Sequence, residues 1–238
     1  MAEGQWVRWG PPWDEDWLHL FSAQSSFQTV SVWNSTENAT FLIIDGEVQL
    51  TSSGEYVYHE MLAYVPLAVA LCNARSEGRD GELRVFVFGA GDGGIVQRLL
   101  RHRGVAYVKQ VEIDELVVNV SKRFFPQLQP PAETPTDRFS FLLGDGIAYA
   151  RRAARGAEAG TFDLVILDVT DHLSSEDSGA PRPSLLSEAL DQDLAAMLRP
   201  GGVLAQNLGG VDDERAHRQR LVQLRRAFRT VAPFHFGW

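Results

Sequence analysis

Cysteine is almost missing from this chain. Cys72 stands alone among 238 residues, which excludes an intramolecular disulfide and a thiolate zinc cluster and suits a reducing compartment, so a cytoplasmic location is expected. Basic charge is in deficit as well: 22 Lys and Arg face 31 Asp and Glu, a formal net charge of −9. A chain this acidic offers no basic stripe to neutralise phosphates, so no nucleic acid and no anionic membrane is expected as a partner, whereas a cationic substrate suits it. Long apolar runs are absent too. None reaches the length of a membrane span, and in MAEGQWVRWGPPWDEDW acids interrupt the tryptophans where a signal peptide needs an apolar core. Without such a signal, the glycosylation-like triplets at Asn34, Asn38 and Asn119 read as chance matches. Internal repeats and low-complexity tracts are lacking.

What is present is an ordinary globular composition, 45% hydrophobic and 22% charged, in a chain long enough for one sizeable core with a small appended domain. Residues 27–52 read as β-branched, alternating strands broken by Asn-rich and Asp45-Gly46 turns, a small antiparallel unit. EYVYHEMLAYVPLAVAL spaces its apolar residues as a helix does, with Pro66 expected to kink or divide it. After the polar connection SEGRDGE, the apolar runs RVFVFG, YVKQVEI, FSFLLGD, FDLVILD and GGVLAQNLG alternate with helical stretches. Four successive strand-helix units predict a parallel sheet covered on both faces, the doubly wound α/β class. The closing stretch ERAHRQRLVQLRRAFR reads as a solvated amphipathic helix.

Ligands of open parallel sheets collect at the carboxyl ends of the strands, and here four strand ends carry acids. They are Asp92 in GAGDGG, Glu112 and Asp114 in VEID, Asp145 in GDG, and Asp168 with Asp171 in LDVTD. Glycines 89, 91, 93 and 94 allow the backbone to turn tightly against a ligand at a helix start. Glu112 follows Asp92 by 20 residues, a spacing that in a βαβ unit lets a carboxylate accept hydrogen bonds from ribose hydroxyls. Loop and acid together point to a nucleoside-containing ligand. Helix capping accounts for Asp114 and Asp145 singly, but it does not call for an acid after every strand. Asp168 and Asp171 can aim into one cleft, either as a metal pair or as an acid pair that holds and deprotonates an amine, whose pKa of about 10 has to be overcome. No histidine or further acid stands at ligand spacing; His172 reads as a loop residue.

In this order, FQTVSV, FLIIDGEVQLTSSGEYVYHEMLAYVPL, VFVFGAGDGGIVQRLLRH, VEIDELVVNVSKRFFP, LLGDGIAYA and FDLVILDVTD resemble the spermidine synthase family of polyamine aminopropyltransferases, from about Phe27 to Gly209. The resemblance implies a small amino-terminal β domain over residues 1–54 and a Rossmann-like, methyltransferase-type catalytic domain over residues 55–238, usually in a homodimer. It implies transfer of an aminopropyl group from decarboxylated S-adenosylmethionine, the co-substrate, to an amine, usually putrescine, giving spermidine and methylthioadenosine. No tightly bound cofactor and no metal are implied, because a sulfonium is already a good leaving group. By the same resemblance Gln28, His59, Asp92, Glu112, Asp145 and Gly146 contact the donor. Tyr58, Asp168 and Asp171 hold the acceptor, with Asp168 as catalytic proton acceptor. An acid in the glycine turn then selects a donor that has lost its carboxylate.

Three features depart from the family pattern. His59 stands where the family commonly has glutamine, and Tyr58-His59-Glu60 resembles the thermospermine synthase branch. The proline that usually follows the acid pair is replaced by a longer stretch, 172–182, with acids Glu176 and Asp177 of its own. The chain stops at VAPFHFGW where family members continue through further strands, so a truncated chain or an incomplete sheet is expected. Competing expectations are spermidine as acceptor, as in thermospermine or spermine synthases; a methyltransferase using intact S-adenosylmethionine; and a non-catalytic relative that binds nucleoside without turnover.

Overall fold

The computed structural model describes residues 17–36, 39–169, 187–209 and 214–234. Strands β1 (Leu18–Gln24), β2 (Thr29–Asn34), β3 (Thr40–Ile44) and β4 (Glu47–Thr51) form an antiparallel meander in that order. Asp45 and Gly46 both take positive φ, 49° and 86°, the conformation a two-residue hairpin turn requires. The strand β1 extends the expected unit upstream. Its LHLFSAQ segment is mostly exposed and is held by backbone pairing to β2 and by Phe21, which packs against the core beside Phe124, so only a short alternation marks it. On the inner face, Val30, Val32, Leu42, Ile44 and Leu50 pack with Val117, Val120, Phe125 and Leu128, on and just after helix α3 (Glu115–Phe124).

Helix α1 (Glu55–Ser76) buries His59, Leu62, Ala63, Pro66, Leu67, Ala70 and Ala74, a stripe at three- and four-residue intervals. The expected division at Pro66 does not occur: the helix runs unbroken for 22 residues. Proline forfeits one main-chain bond at roughly 3 kcal/mol. Burying the apolar stripe, at roughly 1.5–3 kcal/mol for each large side chain, outweighs that loss.

The second sheet is parallel throughout. It comprises β5 (Leu83–Gly89), β6 (Val105–Glu112), β7 (Phe139–Leu143), β8 (Phe162–Asp168) and β9 (Leu198–Gln206), in the order β7-β6-β5-β8-β9. Its helices are α2 (Gly94–Arg101), α3, α4 (Gly146–Ala153), α5 (Glu188–Met197) and α6 (Glu214–Ala227). Alternate residues of β5 serve opposite faces. Val85 and Val87 join a core with Leu62 and Leu67 of α1 and Ile95 and Leu99 of α2, while Phe86 and Phe88 join Tyr149 of α4 and Leu190 and Leu194 of α5. Both faces are thus covered, the doubly wound arrangement expected of the sequence. Strand order reverses between β5 and β8, so the cleft at their carboxyl ends is the topological switch point where such sheets bind ligands. Among the described residues no helix is long and apolar enough to cross a membrane.

Candidate active site

The backbone leaving β5 turns sharply. Gly89 and Ala90 have φ of 83° and 55°, Gly93 has 88°, and α2 begins at Gly94. A side chain at Gly89 would collide with the Asp168 carbonyl, and one at Gly91 would lie 3.0 Å from Glu112 Oε2 and 2.9 Å from Val117 Cγ1. Glycine here lets the first turn close against acids from both neighbouring strands.

Asp92, in that turn, accepts the Gly94 main-chain N–H at Oδ1 (2.7 Å) and faces His59 Nε2 at Oδ2 (3.1 Å). On the far side of the ring, His59 Nδ1 lies 2.5 Å from Glu55 Oε2, and Arg98 donates to both Glu55 oxygens at 2.8 and 3.2 Å. The result is an ordered row of charge, Arg98, Glu55, His59, Asp92. Burial opposes the imidazolium, but Asp92 and then Glu55 outweigh it and raise His59 to about 9. Burial also opposes charge on Asp92; the attraction of His59 and the Gly94 N–H nonetheless holds its carboxyl below the usual range.

Glu112 ends β6 almost fully buried, its Oε1 accepting the Asp114 N–H at 2.8 Å. Burial, with smaller contributions from Asp114 and Asp168, pushes it up to about 7 despite main-chain donors. Asp114 caps α3 by accepting Leu116 N–H (2.9 Å), while its other oxygen accepts from Ser25 Oγ (2.7 Å) and Gln28 Nε2 (3.0 Å). Gln28 thus reaches the end of β6 from the antiparallel sheet. Asp145 caps α4 through Ile147 and Ala148 N–H at 2.8 and 3.1 Å. Gly146 lies flat on Phe88, whose ring would meet any added Cβ at 2.5 Å.

Asp168 closes β8. Its Oδ1 accepts the Tyr58 hydroxyl, and Asn207, just past β9, donates Nδ2 to Tyr58 Oη at 3.1 Å and to the same Oδ1 at 3.5 Å. Both of these contacts fall on Oδ1, and among the described residues Oδ2 has no hydrogen-bond partner. Burial first and Asp92 second raise Asp168 to about 6. Burial and the facing Asp168 likewise drive the Tyr58 hydroxyl well above its ordinary value, so it remains a donor.

Tyr58, His59, Asp92, Glu112 and Asp168 are therefore brought into one electrostatically coupled cluster around the switch point, with Gln28 at its rim. Asp145 and Gly146 stand one strand beyond Glu112, at the end of β7. Asp171 and the 172–182 stretch, with His172, Glu176 and Asp177, lie outside the described residues. Sequence reasoning missed Glu55, Arg98 and Asn207. Glu55 was readable as the i−4 neighbour of His59, and Asn207 closes a strand whose end carries no acid. Chemically, three carboxylates converge, two of them holding protons more tightly than usual, so the cluster favours a cationic ligand, and Asp168 Oδ2 can take a proton.

Residues 55–236 match the spermine/spermidine synthase domain family. Spermidine synthase 2 of Datura stramonium is 35% identical over 186 residues, 78% of this chain and 52% of the relative. Spermine synthase of Arabidopsis thaliana is 36% identical over 185 residues, 78% of this chain and 46% of the relative. The chain thus spans about half the length of the curated relatives it matches. Among solved structures, a spermidine synthase in complex with the transition state analogue AdoDATO superimposes with a TM-score of 0.74 at 23% identity, covering 89% of this chain and 66% of that one. Spermidine synthase from Thermotoga maritima gives 0.70 at 23%, covering 88% and 63%. At that identity the superpositions speak for the fold.

Proposed function

The chain belongs to the spermine/spermidine synthase family, and from that premise we propose that it transfers an aminopropyl group from decarboxylated S-adenosylmethionine to an amine, putrescine first among candidates. The carrying observation is the pair of acids that flank the switch point: Asp92 from the β5 turn and Asp168 at the end of β8, close enough for the first to raise the second. A donor with a sulfonium and an ammonium, and an acceptor that is itself a polycation, suit such a site.

Glu112 accepts the ribose hydroxyls, Asp145 and Gly146 border the adenine, Gln28 closes the rim, and Asp92 takes the ammonium. His59 acts through Asp92, since its ring nitrogens face Glu55 and Asp92. Tyr58 and Asp171 position the acceptor. Its nitrogen attacks the carbon beside the sulfonium, the carbon–sulfur electron pair leaves with sulfur as methylthioadenosine, and the amine proton passes to Asp168 Oδ2. Tyr58 and Asn207 hold Oδ1, which leaves Oδ2 for that step. In this reading residues 1–54 form the small β domain and 55–238 the catalytic domain. A homodimer, a cytoplasmic location and independence of nucleic acid and membranes follow from the family resemblance, the single cysteine and the acidic charge. The test is product analysis with putrescine, spermidine and cadaverine side by side. Methylthioadenosine with an elongated amine supports the reading; S-adenosylhomocysteine, or no product from a protein that binds nucleoside, overturns it.

A further inference from the structure

We propose that His59 is a specificity-determining residue of the donor site: a buried imidazolium that neutralises Asp92 and thereby sets how strongly the site prefers a donor ending in an ammonium over one that also carries a carboxylate. The inference rests on the reading of the cluster as a donor site. It begins with proton counting. A neutral imidazole has one N–H, so one ring nitrogen presents a lone pair. His59 places a carboxylate oxygen against each nitrogen, Glu55 Oε2 at 2.5 Å and Asp92 Oδ2 at 3.1 Å. Both contacts are hydrogen bonds when both nitrogens carry protons, and the ring is then a cation.

The charge on that ring falls on Asp92 and not on Glu55. Arg98 already compensates Glu55 through two contacts, and its own Nη1 is anchored on the Gly94 carbonyl at 3.1 Å. Two cations and two anions stand in the row, so its net charge is zero. Among the described residues the charged groups that face the ring are Glu55 from α1, Asp92 from the β5 turn, Arg98 from α2 and, at longer range, Asp168 from β8, with the Tyr58 ring edge-on at 5.2 Å. His59 itself is 0% exposed, whereas the Asp92 side chain retains 14%. A ligand therefore meets Asp92 and feels His59 through it, in surroundings that screen charge weakly. The elevated value of about 9 for His59 agrees with the proton count.

An unpaired Asp92 attracts an ammonium and repels a carboxylate at full strength, and pairing with His59 weakens both effects. His59→Gln keeps a hydrogen-bond donor toward Asp92 and removes the cation, so it should sharpen the choice. Methylthioadenosine, decarboxylated S-adenosylmethionine and S-adenosylmethionine are titrated into wild type and His59→Gln at pH 7.5. The expected result is a rise of at least about tenfold, about 1.4 kcal/mol, in the preference for the decarboxylated donor, with methylthioadenosine affinity moved by less than about twofold. An unchanged or smaller preference, or a matching loss for methylthioadenosine, overturns the inference while wild-type binding and turnover leave the donor site standing. If wild type binds none of the three, the donor-site reading falls and takes the inference with it. Should the variant fail to fold, nitrogen NMR of the wild-type histidine rings decides: one of the six must remain an imidazolium at pH 8, and its absence overturns the proposal.

Discussion

The Asn207 amide donates to the Tyr58 hydroxyl across 3.1 Å, tying the end of β9 to α1 at the oxygen that Tyr58 turns toward Asp168. Both donors lower the affinity of Asp168 for a proton. Asn207→Leu removes one of them, so the acid limb of the pH–rate profile should move upward and turnover at neutral pH should fall by roughly tenfold, as the loss of about 1.4 kcal/mol would give. Donor affinity should hold, and Asn207→Gln should restore part of the rate. A reduced rate with an unmoved limb would assign Asn207 a purely structural part.

Asp168→Asn keeps the shape and removes the proposed base. Turnover should drop by roughly 10²- to 10⁴-fold while methylthioadenosine still binds. In the unaltered protein Asp168 must be ionised to accept the proton. With its value raised to about 6, activity should therefore climb as pH rises through 6, and continue upward into mildly alkaline pH as the amine deprotonates. Near-normal turnover in Asp168→Asn would take the residue out of the mechanism.

With Glu112 at the ribose, as proposed, nucleoside binding becomes linked to pH. The Glu112 carboxyl, raised to about 7 in the ligand-free protein, favours folding most at pH below the ordinary 4.5 and loses that contribution as pH climbs through 7. Ribose hydroxyls need the carboxylate, so methylthioadenosine affinity should be full above 7 and fall by about tenfold per unit below it. Glu112→Gln should flatten this dependence and cost about 1.5–3 kcal/mol, one to two decades of affinity. Calorimetric titration between pH 5.5 and 8 measures both, and a flat wild-type curve would remove Glu112 from the ribose.

Asp92→Asn leaves His59 beside a neutral amide. The decarboxylated donor should bind more weakly and S-adenosylmethionine more tightly, narrowing the preference by at least about tenfold, about 1.4 kcal/mol. Opposite shifts in Asp92→Asn and His59→Gln are the signature of one electrostatic control. Parallel shifts would point to a loss of shape in both.

Away from the cleft, Arg220 and Asp191 form a buried bidentate pair, 2.6 Å for each contact, and Arg220 also donates to Gln206 on β9 at 2.7 and 3.0 Å. Arg220→Met strands a buried carboxylate and should cost about 3–5 kcal/mol. At about 2–4 °C per kcal/mol for a chain of this size, the melting temperature should fall by roughly 6–20 °C. Arg220→Met with Asp191→Leu should recover most of it. Equal loss in single and double variants would mean that packing, not the stranded charge, sets the cost.

Elements buried on both faces were the most legible in the sequence. FDLVILD is β8 from its first residue to its last: Phe162 and residues 164–167 pack into the cores on either face, and the one buried charge among them, Asp163, is paired with Arg79 and Arg199. The acids at the strand ends were legible for a related reason: the switch point fixes where a parallel sheet meets its ligand. By contrast, β1 owes its place mostly to main-chain pairing, with Phe21 its one side chain packed against the core, and pairing leaves little mark on side-chain identity. Pro66 misled because helix propensity weighs less than a core-facing stripe. Asn207 and Arg98 escaped notice since their meaning lies in partners 149 and 43 residues away. For His59 the resemblance implies a donor contact, and only the folded chain sets Glu55 and Asp92 on opposite sides of its ring.

Asp114 serves two structures at once, starting α3 with one oxygen and gripping Ser25 and Gln28 with the other, while its own N–H steadies Glu112. A transplant beginning at Glu55 would carry every strand-end acid into a new host and still arrive incomplete. The end of β6 is held in part by a hairpin that contributes none of those acids, so the smallest portable unit of this cluster is longer than the parallel sheet that bears them, and recombination between relatives should preserve the meander and the parallel sheet together.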